Sequence, residues 1–164
     1  MSTVIQKATF ADVPLIQQMA YTAWPVAYGS ILSKEQITYM LQLMYSQEEL
    51  LHQMSNRYTY LLAVKSEQAI GFAAYNAITA QQFKLQKLYM LPEAQGTGMG
   101  KLLLQTVIDQ AKGAGATSLI LNVNRSNKAI AFYSKMGFQI VKEEDNDIGN
   151  GYFMNDFVMQ LQLK

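Results

Sequence analysis

Three glycines on alternate positions, set between an apolar run and a helical stretch, constrain this chain more than any other feature. The run is Leu88-Tyr89-Met90-Leu91, the loop is Gln95-Gly96-Thr97-Gly98-Met99-Gly100-Lys101, and helical periodicity then covers Leu102 to Ala111. The pattern predicts a strand, a tight turn and a helix. Glycine lets the backbone turn where a side chain would be strained, and it brings successive N–H groups close to a ligand. The first amides of a helix lack internal partners and face negative charge. The segment is therefore expected to cradle an anion of phosphate type.

Two common phosphate loops do not fit. The nucleoside-triphosphate loop needs Gly, four residues, then Gly-Lys-Ser/Thr. Here Leu102 follows Gly100-Lys101, and Gln95 stands where the first glycine belongs. Counting the dinucleotide fingerprint from Gly96 and Gly98 puts Lys101 at its third glycine, and Thr117 to Val123 offers no acidic residue. A triphosphate and a nicotinamide cofactor are thus disfavoured.

Helical and strand patterns alternate along the rest of the chain. Val4 to Ala8 reads as a first strand, and Thr9 or Asp12 caps a helix with Pro14 in its first turn. Leu15, Ile16, Met19 and Ala20 repeat at helical spacing. Pro25 is expected to interrupt this helix, with Gly29-Ser30 in a loop. Ser33 and Gln36 form a capping box for a helix carrying Ile37, Met40, Leu41 and Met44 on one face. Ser46 caps a shorter helix through Leu50, Leu51 and Met54. Tyr58 to Val64 and Ala69 to Asn76 read as strands joined around Ser66-Glu67-Gln68, and Lys84 to Leu91 as the next, ended by Pro92. Leu103, Leu104, Val107, Ile108 and Ala111 make an apolar stripe in the helix that Gly113 and Gly115 end. Leu119-Ile120-Leu121 is a buried strand, and Ser126 is expected to cap the helix holding Tyr133. Phe138 to Val141 and Tyr152 to Leu163 close the sheet around an acidic turn at Glu143 to Gly151. The outcome is one mixed αβ domain over residues 1–164.

Composition narrows the chemistry. Only 15% of residues are charged, below the roughly 25% usual for globular chains. No apolar run reaches the roughly 18 residues of a membrane helix, and no charged-then-apolar leader opens the chain. A cytoplasmic protein with no membrane partner is expected. A net charge of +1 gives no electrostatic reason for nucleic acid. The lack of cysteine removes disulfides, cysteine-based metal sites and any acyl-cysteine intermediate, and no metal is expected. His52, the single histidine, reads as a solvated surface residue rather than the base of a Ser-His triad.

The glycine loop resembles the pyrophosphate loop Gln/Arg-x-x-Gly-x-Gly/Ala of the GCN5-related N-acetyltransferases, with Gln95, Gly98 and Gly100 at its defining places. Downstream, Asn127-Lys128-Ala129-Ile130-Ala131-Phe132-Tyr133-Ser134-Lys135-Met136-Gly137-Phe138 is similar to that family's Asn-x-x-Ala-x-x-Phe/Leu-Tyr-x-x-x-Gly-Phe. The two stand in the family's order with a strand between them, and the close resemblance runs from Lys84 to Val141. It implies an α+β (mixed α/β) fold: a central seven-stranded mixed sheet, flanked by helices and splayed between its fourth and fifth strands. The pantetheine arm of acetyl-CoA would enter that gap as a pseudo-strand. Main-chain pairing would involve Leu88, Tyr89 and Met90, with the Met90 N–H polarising the thioester carbonyl. Main-chain amides of Gln95, Gly96, Thr97, Gly98, Met99, Gly100 and Lys101 would hold the diphosphate. Lys101 either adds charge there or is a solvated first-turn lysine. Asn127 would bond the pantetheine chain or its neighbouring backbone. Tyr133 would lie beside the sulfur and protonate the departing thiolate, a task suited to a phenol of pKa about 10. On spacing alone Tyr133 also reads as plain packing with Phe132 and Phe138.

An ammonium acceptor must lose a proton before it attacks. Where relatives carry a glutamate on the fourth or the fifth strand, this chain has Gln86 and Asn122, and neither amide accepts a proton. A water chain, or a carboxylate from elsewhere such as Asp156, has to serve, and the base stays unassigned. For the acceptor, Tyr21, Trp24 and Tyr28 fall at i, i+3 and i+7 on one helical face. Trp24 and Tyr28 are the expected substrate-lining pair because the Pro25 break sets them near a loop; the alternative is that these rings cover the sheet. The run Tyr39-Met40-Leu41…Met44-Tyr45-Ser46 and the tail Tyr152-Phe153-Met154-Asn155-Asp156…Val158-Met159 resemble the polyamine and diamine acetylating branch, although no dense acidic cluster accompanies them. The resemblance implies an acetyl-CoA-dependent N-acetyltransferase acting on a small primary amine by direct attack in a ternary complex. Homodimers are common in the family. A protein N-terminal or lysine acetyltransferase of the same fold, and a non-catalytic CoA-binding sensor, are the alternatives.

Overall fold

Strand-period segments assemble into a single seven-stranded sheet in the computed structural model, which describes residues 3–164. The strands are β1 (Thr3–Lys7), β2 (Thr59–Lys65), β3 (Gln68–Ala77), β4 (Gln82–Met90), β5 (Ser118–Asn124), β6 (Gln139–Gly149) and β7 (Tyr152–Gln162). Their spatial order is β1-β2-β3-β4-β5-β7-β6, and every neighbouring pair is antiparallel except β4 and β5. The helices are α1 (Val13–Tyr28), α2 (Lys34–Tyr45), α3 (Gln47–Ser55), α4 (Met99–Gly113) and α5 (Ala129–Lys135).

Alternation along the strands sends side chains to two separate cores. On one face Tyr60, Leu62, Phe72 and Ala74 pack with Ile16, Trp24, Tyr45 and Leu50 of α1–α3. On the other, Leu61, Ala73, Leu85, Leu119 and Leu121 pack with Leu103, Leu104 and Val107 of α4 and with Tyr133 of α5. Each fully buried side chain of this size contributes about 1.5–3 kcal/mol.

The sheet is not continuous through its centre. The parallel pairing of β4 with β5 runs only from Gln82↔Ser118 to Leu85↔Leu121. Beyond it the strands part, although β4 continues to Met90 and β5 to Asn124. The cause lies on the other edge of β4. Its register with β3 slips between Ala74 and Tyr75, which leaves Gln86 without an opposite residue. Such a bulge bends its strand and sharpens the twist.

Three local expectations are corrected. Pro25 does not end the first helix, which runs unbroken to Tyr28. Proline removes one backbone donor, here the partner of the Tyr21 carbonyl. Tyr21 and Pro25 both lie on the exposed face, where water replaces that donor, whereas Ala20, Ala23, Trp24 and Tyr28 are buried and hold the helix down. Pro25→Ala should therefore raise stability by about 1–3 kcal/mol, read as a higher urea midpoint with the slope unchanged. An unmoved midpoint would show that the proline costs this helix nothing.

The acidic segment expected as a turn is instead strand. Glu143, Glu144, Asp145 and Asp147 pair with β7, and only Asn150-Gly151 turn, at φ of 55 and 79°, after Gly149 closes the ladder at φ of 90°. The charges are tolerated because β6 is an edge strand. Arg125 also reaches Glu143 at 3.5 Å and pairs with Asp145, while Lys142 reaches Glu144 at 3.2 Å. Finally, Ser126 does not cap α5: the Asn127 side-chain oxygen accepts from the Ala129 N–H at 2.8 Å. Ser33 does cap α2, accepting from the Gln36 N–H at 3.1 Å, but the Gln36 side chain donates to the Phe153 carbonyl at 2.8 Å rather than closing the box.

Candidate active site

After β4, a short 3-10 turn (Pro92–Ala94) delivers the chain to the glycine loop. Gly96 and Gly98 adopt φ of +79 and +82°, a region that side chains resist. A Cβ on either would meet nothing within 4 Å, so the glycines are required by backbone sign and they leave open space in front of the loop. Gly98 caps α4 without a side-chain bond, and the Leu102 N–H bonds back to its carbonyl at 3.1 Å. The amides before Leu102 are those a helix leaves for a ligand. Thr97 and Met99 turn their side chains away: Thr97 bonds the Ala94 carbonyl, and Met99 is buried in the core.

The loop opens onto a cavity of about 730 Å³ that fills the gap where β4 leaves β5. Leu88, Tyr89 and Met90 form one wall; Gln95, Gly96, Gly98, Gly100 and Lys101 form its mouth. Asn127 and Phe132 close it from the α5 side. The structure thus brings both sequence motifs to one space. It does not bring Trp24 and Tyr28 to the cavity wall. They are 1% and 4% exposed, one layer behind it, because α1 continues through Pro25 and keeps them on its core face. The wall on that side is made by Ala23, Val26 and Ala27 with Ser30 and Ile31, which the sequence reading did not single out. Tyr28 still reaches the site indirectly, its hydroxyl lying 2.8 Å from that of Tyr89.

Tyr133 does not line this cavity: it is 7% exposed within the core on the α4 side, next to the lining residue Phe132, with ring centroids 5.3 Å from Phe132 and 5.7 Å from Phe138. Burial, with a smaller effect of Tyr28, pushes its phenol well up, so it carries its proton at any neutral pH. Among the described residues its hydroxyl has no hydrogen-bond partner.

A polar group spans β5, β7 and β6, on the β5 side of the gap. Asp156 of β7 lies opposite Asn124 of β5 and Glu144 of β6. Its Oδ2 accepts from Asn122 Nδ2 at 3.3 Å and from Asn146 Nδ2 at 3.1 Å. Asn122 also donates to Glu144 at 3.0 Å. Asp156 is 6% exposed, and its Oδ1 is buried with no partner among the described residues. Burial raises its carboxyl above the ordinary aspartate value against the two amide bonds. Gln86 donates to Asn76 at 3.0 Å and takes no part in this group.

Lys87, the residue after the bulge, is 4% exposed. Its Nζ donates to Tyr60 Oη at 2.7 Å, Gln53 Oε1 at 3.0 Å and the Met44 carbonyl at 3.2 Å, and lies 4.0 Å from the Tyr45 ring centre. Burial lowers its pKa from 10.5 to about 7, with Glu49 opposing. The sign follows directly. Below about 7 the ammonium is charged in both states and its burial cost is fully felt; between about 7 and 10.5 only the unfolded chain holds the proton. Stability should rise with pH through that window, by up to about 1 kcal/mol per unit. Lys87→Met should flatten the slope in urea titrations across the window; a slope that survives the substitution belongs to another group.

Residues 30–160 match the family described as Acetyltransferase (GNAT) domain. The chain is 30% identical to the spermidine N(1)-acetyltransferase of Thermoplasma acidophilum, over 98% of this chain and 97% of that one. It is 38% identical to the [ribosomal protein bS18]-alanine N-acetyltransferase of Haemophilus influenzae, over 59% of this chain and 62% of that one. The structure superposes on PaiA N-acetyltransferase from Thermoplasma acidophilum in complex with coenzyme A with a TM-score of 0.85, at 30% identity, covering 99% of both chains.

Proposed function

Because this chain belongs to the GNAT acetyltransferase family, and is thereby an acetyl-CoA-dependent N-acetyltransferase, we propose that its acceptor is a small primary amine, polyamines included. The observation that carries the proposal is the parting of β4 from β5 after Leu85 and Leu121. It opens a cavity with a helix-terminal anion cradle at its mouth, and a buried, half-satisfied carboxylate, Asp156, stands on the strand next to β5. The whole-length likeness to a spermidine N(1)-acetyltransferase supports the acceptor class, whereas the likeness to the bS18-alanine enzyme covers just over half of the chain.

The residues present suit the cosubstrate. Open space before Gly96 and Gly98 admits a diphosphate to the loop amides, and Lys101 adds charge at the mouth. Past Leu85, β4 offers backbone groups with no ladder partner on the β5 side, the arrangement that accepts an extended chain as an added strand. When bound, acetyl-CoA supplies an acyl group activated as a thioester. The Met90 N–H then serves as a fixed dipole for the carbonyl oxygen. Asn127, already fixed by its bond to the Ala129 N–H, lines the path of the arm. Tyr133 delivers its proton to the sulfur. The chain has no cysteine to carry the acyl group, and transfer in this reading is direct from donor to amine.

The test is thiol release from acetyl-CoA across polyamines, amino acids, aminoglycosides and peptides. Saturable turnover with small aliphatic amines is expected. Turnover confined to peptides would replace the acceptor class with a protein terminus or lysine.

A further inference from the structure

We propose that Asp156 is the group that takes the proton from the attacking ammonium, through its Oδ1 on β7, the strand behind the β5 bank of the opening. The inference rests on the acetyltransferase reading above and supplies the base that Gln86 and Asn122 do not. Register locates the carboxylate. Asp156 stands opposite Asn124, three residues beyond Leu121, where β5 last pairs with β4. Leu88 stands the same three residues beyond Leu85 on β4. At about 3.3 Å per residue, Leu88 and Asn124 lie about 10 Å past the point of parting on the two banks of the gap, and Asp156 stands one strand behind Asn124.

Hydrogen bonding aims the group. Asn122 and Asn146 both donate to Oδ2, at 3.3 and 3.1 Å, which leaves Oδ1 buried without a partner among the described residues. A carboxylate oxygen left so is costly. A purely structural hub for two amides has no need of it; an ammonium donor satisfies it. The groups facing Asp156 are Asn122 of β5, Glu144 and Asn146 of β6, Lys84 of β4 and Tyr28 of α1. Burial and Glu144 raise its carboxyl; Asn122, Asn146 and Lys84 lower it; the net direction is upward, as a proton acceptor requires.

The step balances. The ammonium gives its first proton to Oδ1, and the freed lone pair forms the N–C bond. The C–S bond breaks with its electron pair on sulfur, which takes the phenol proton of Tyr133. The second nitrogen proton restores that phenol, and Asp156 releases its proton to solvent. The products are the acetamide, the free thiol and one proton.

The experiment compares two acceptors in wild type, Asp156→Asn and Asp156→Glu: spermidine, which is cationic at neutral pH, and methoxyamine, which is already neutral there. Asp156→Asn should lower kcat/KM for spermidine about 100-fold or more, and for methoxyamine by less than about 3-fold. Its spermidine rate should climb steadily with pH, whereas the wild-type rate levels off once the carboxyl is ionised. Coenzyme A affinity by calorimetry should be unchanged, and Asp156→Glu should recover part of the loss. Equal losses for the two acceptors, with wild type active on both, would overturn the role of Asp156 and leave the acetyltransferase reading intact. Should Asp156→Asn fail to fold, the wild-type profile decides: a spermidine rate with no carboxyl limb below neutrality overturns the proposal. No turnover of any amine by wild type would sink the acceptor reading and this inference together.

Discussion

Gly98→Asp should raise the dissociation constant for coenzyme A about 100-fold while moving the unfolding midpoint little. Gly98 has φ of +82° and caps α4, and a Cβ there meets nothing within 4 Å. Aspartate is among the few residues that tolerate this backbone region, and it is a favoured cap. The fold is therefore expected to change by no more than about 1 kcal/mol, the strain and the new cap offsetting each other. Binding has no such compensation. The new carboxylate competes for the amides that a diphosphate would use and repels its charge at close range. A 100-fold loss corresponds to about 2.7 kcal/mol. Calorimetry with coenzyme A, beside urea titration of the same variant, separates the two effects. Affinity within about 3-fold of wild type would mean that the diphosphate lies elsewhere.

Tyr133→Phe should lower kcat about 100- to 1,000-fold and leave coenzyme A affinity nearly as it was. The ring stays, so its contacts with Phe132 and Phe138 at 5.3 and 5.7 Å survive. Only the hydroxyl is lost, and among the described residues that hydroxyl bonds to nothing. Its burial holds it protonated and also makes it a weaker acid than a free phenol, so it yields its proton only to a strongly basic thiolate in contact with it. The effect should therefore fall on the chemical step, seen in single-turnover thiol release. An unchanged kcat would show that the thiolate leaves without this proton, and Tyr133 would be reduced to packing.

The two motifs were legible because each is local. The strand, the glycines of positive φ and the helix of the first lie within a few residues of one another, and so do Asn127 and Tyr133 of the second. What stayed hidden depends on contacts distant in sequence. Pro25 looks like a helix stop until Trp24 and Tyr28 are seen buried against the sheet, when packing outweighs one missing donor. That misreading concealed the cavity wall: Ala23, Val26 and Ala27 fall at i, i+3 and i+4 of α1, with Ser30 just past its end, beside the more conspicuous aromatic residues. The acidic stretch of β6 reads as a turn by composition, and becomes strand once Arg125 and an open edge are available to it. Asp156 was visible as a spare carboxylate, but its place depends on the β5–β7 register. Nothing near Lys87 in sequence announces its burial, since Met44, Gln53 and Tyr60 come from three other elements.

The unpaired reach of β4 beyond Leu85 would, in an open sheet, invite aggregation, because bare strand edges recruit other strands. Here the edge is walled by Ala23 and Ala27 on one side and by Ala129 and Phe132 on the other. A further strand would have to seat its side chains among these residues, whereas a thin, unbranched amide-bearing arm has none to seat. Residues crowding an open strand edge thereby guard it against pairing with another copy of the chain.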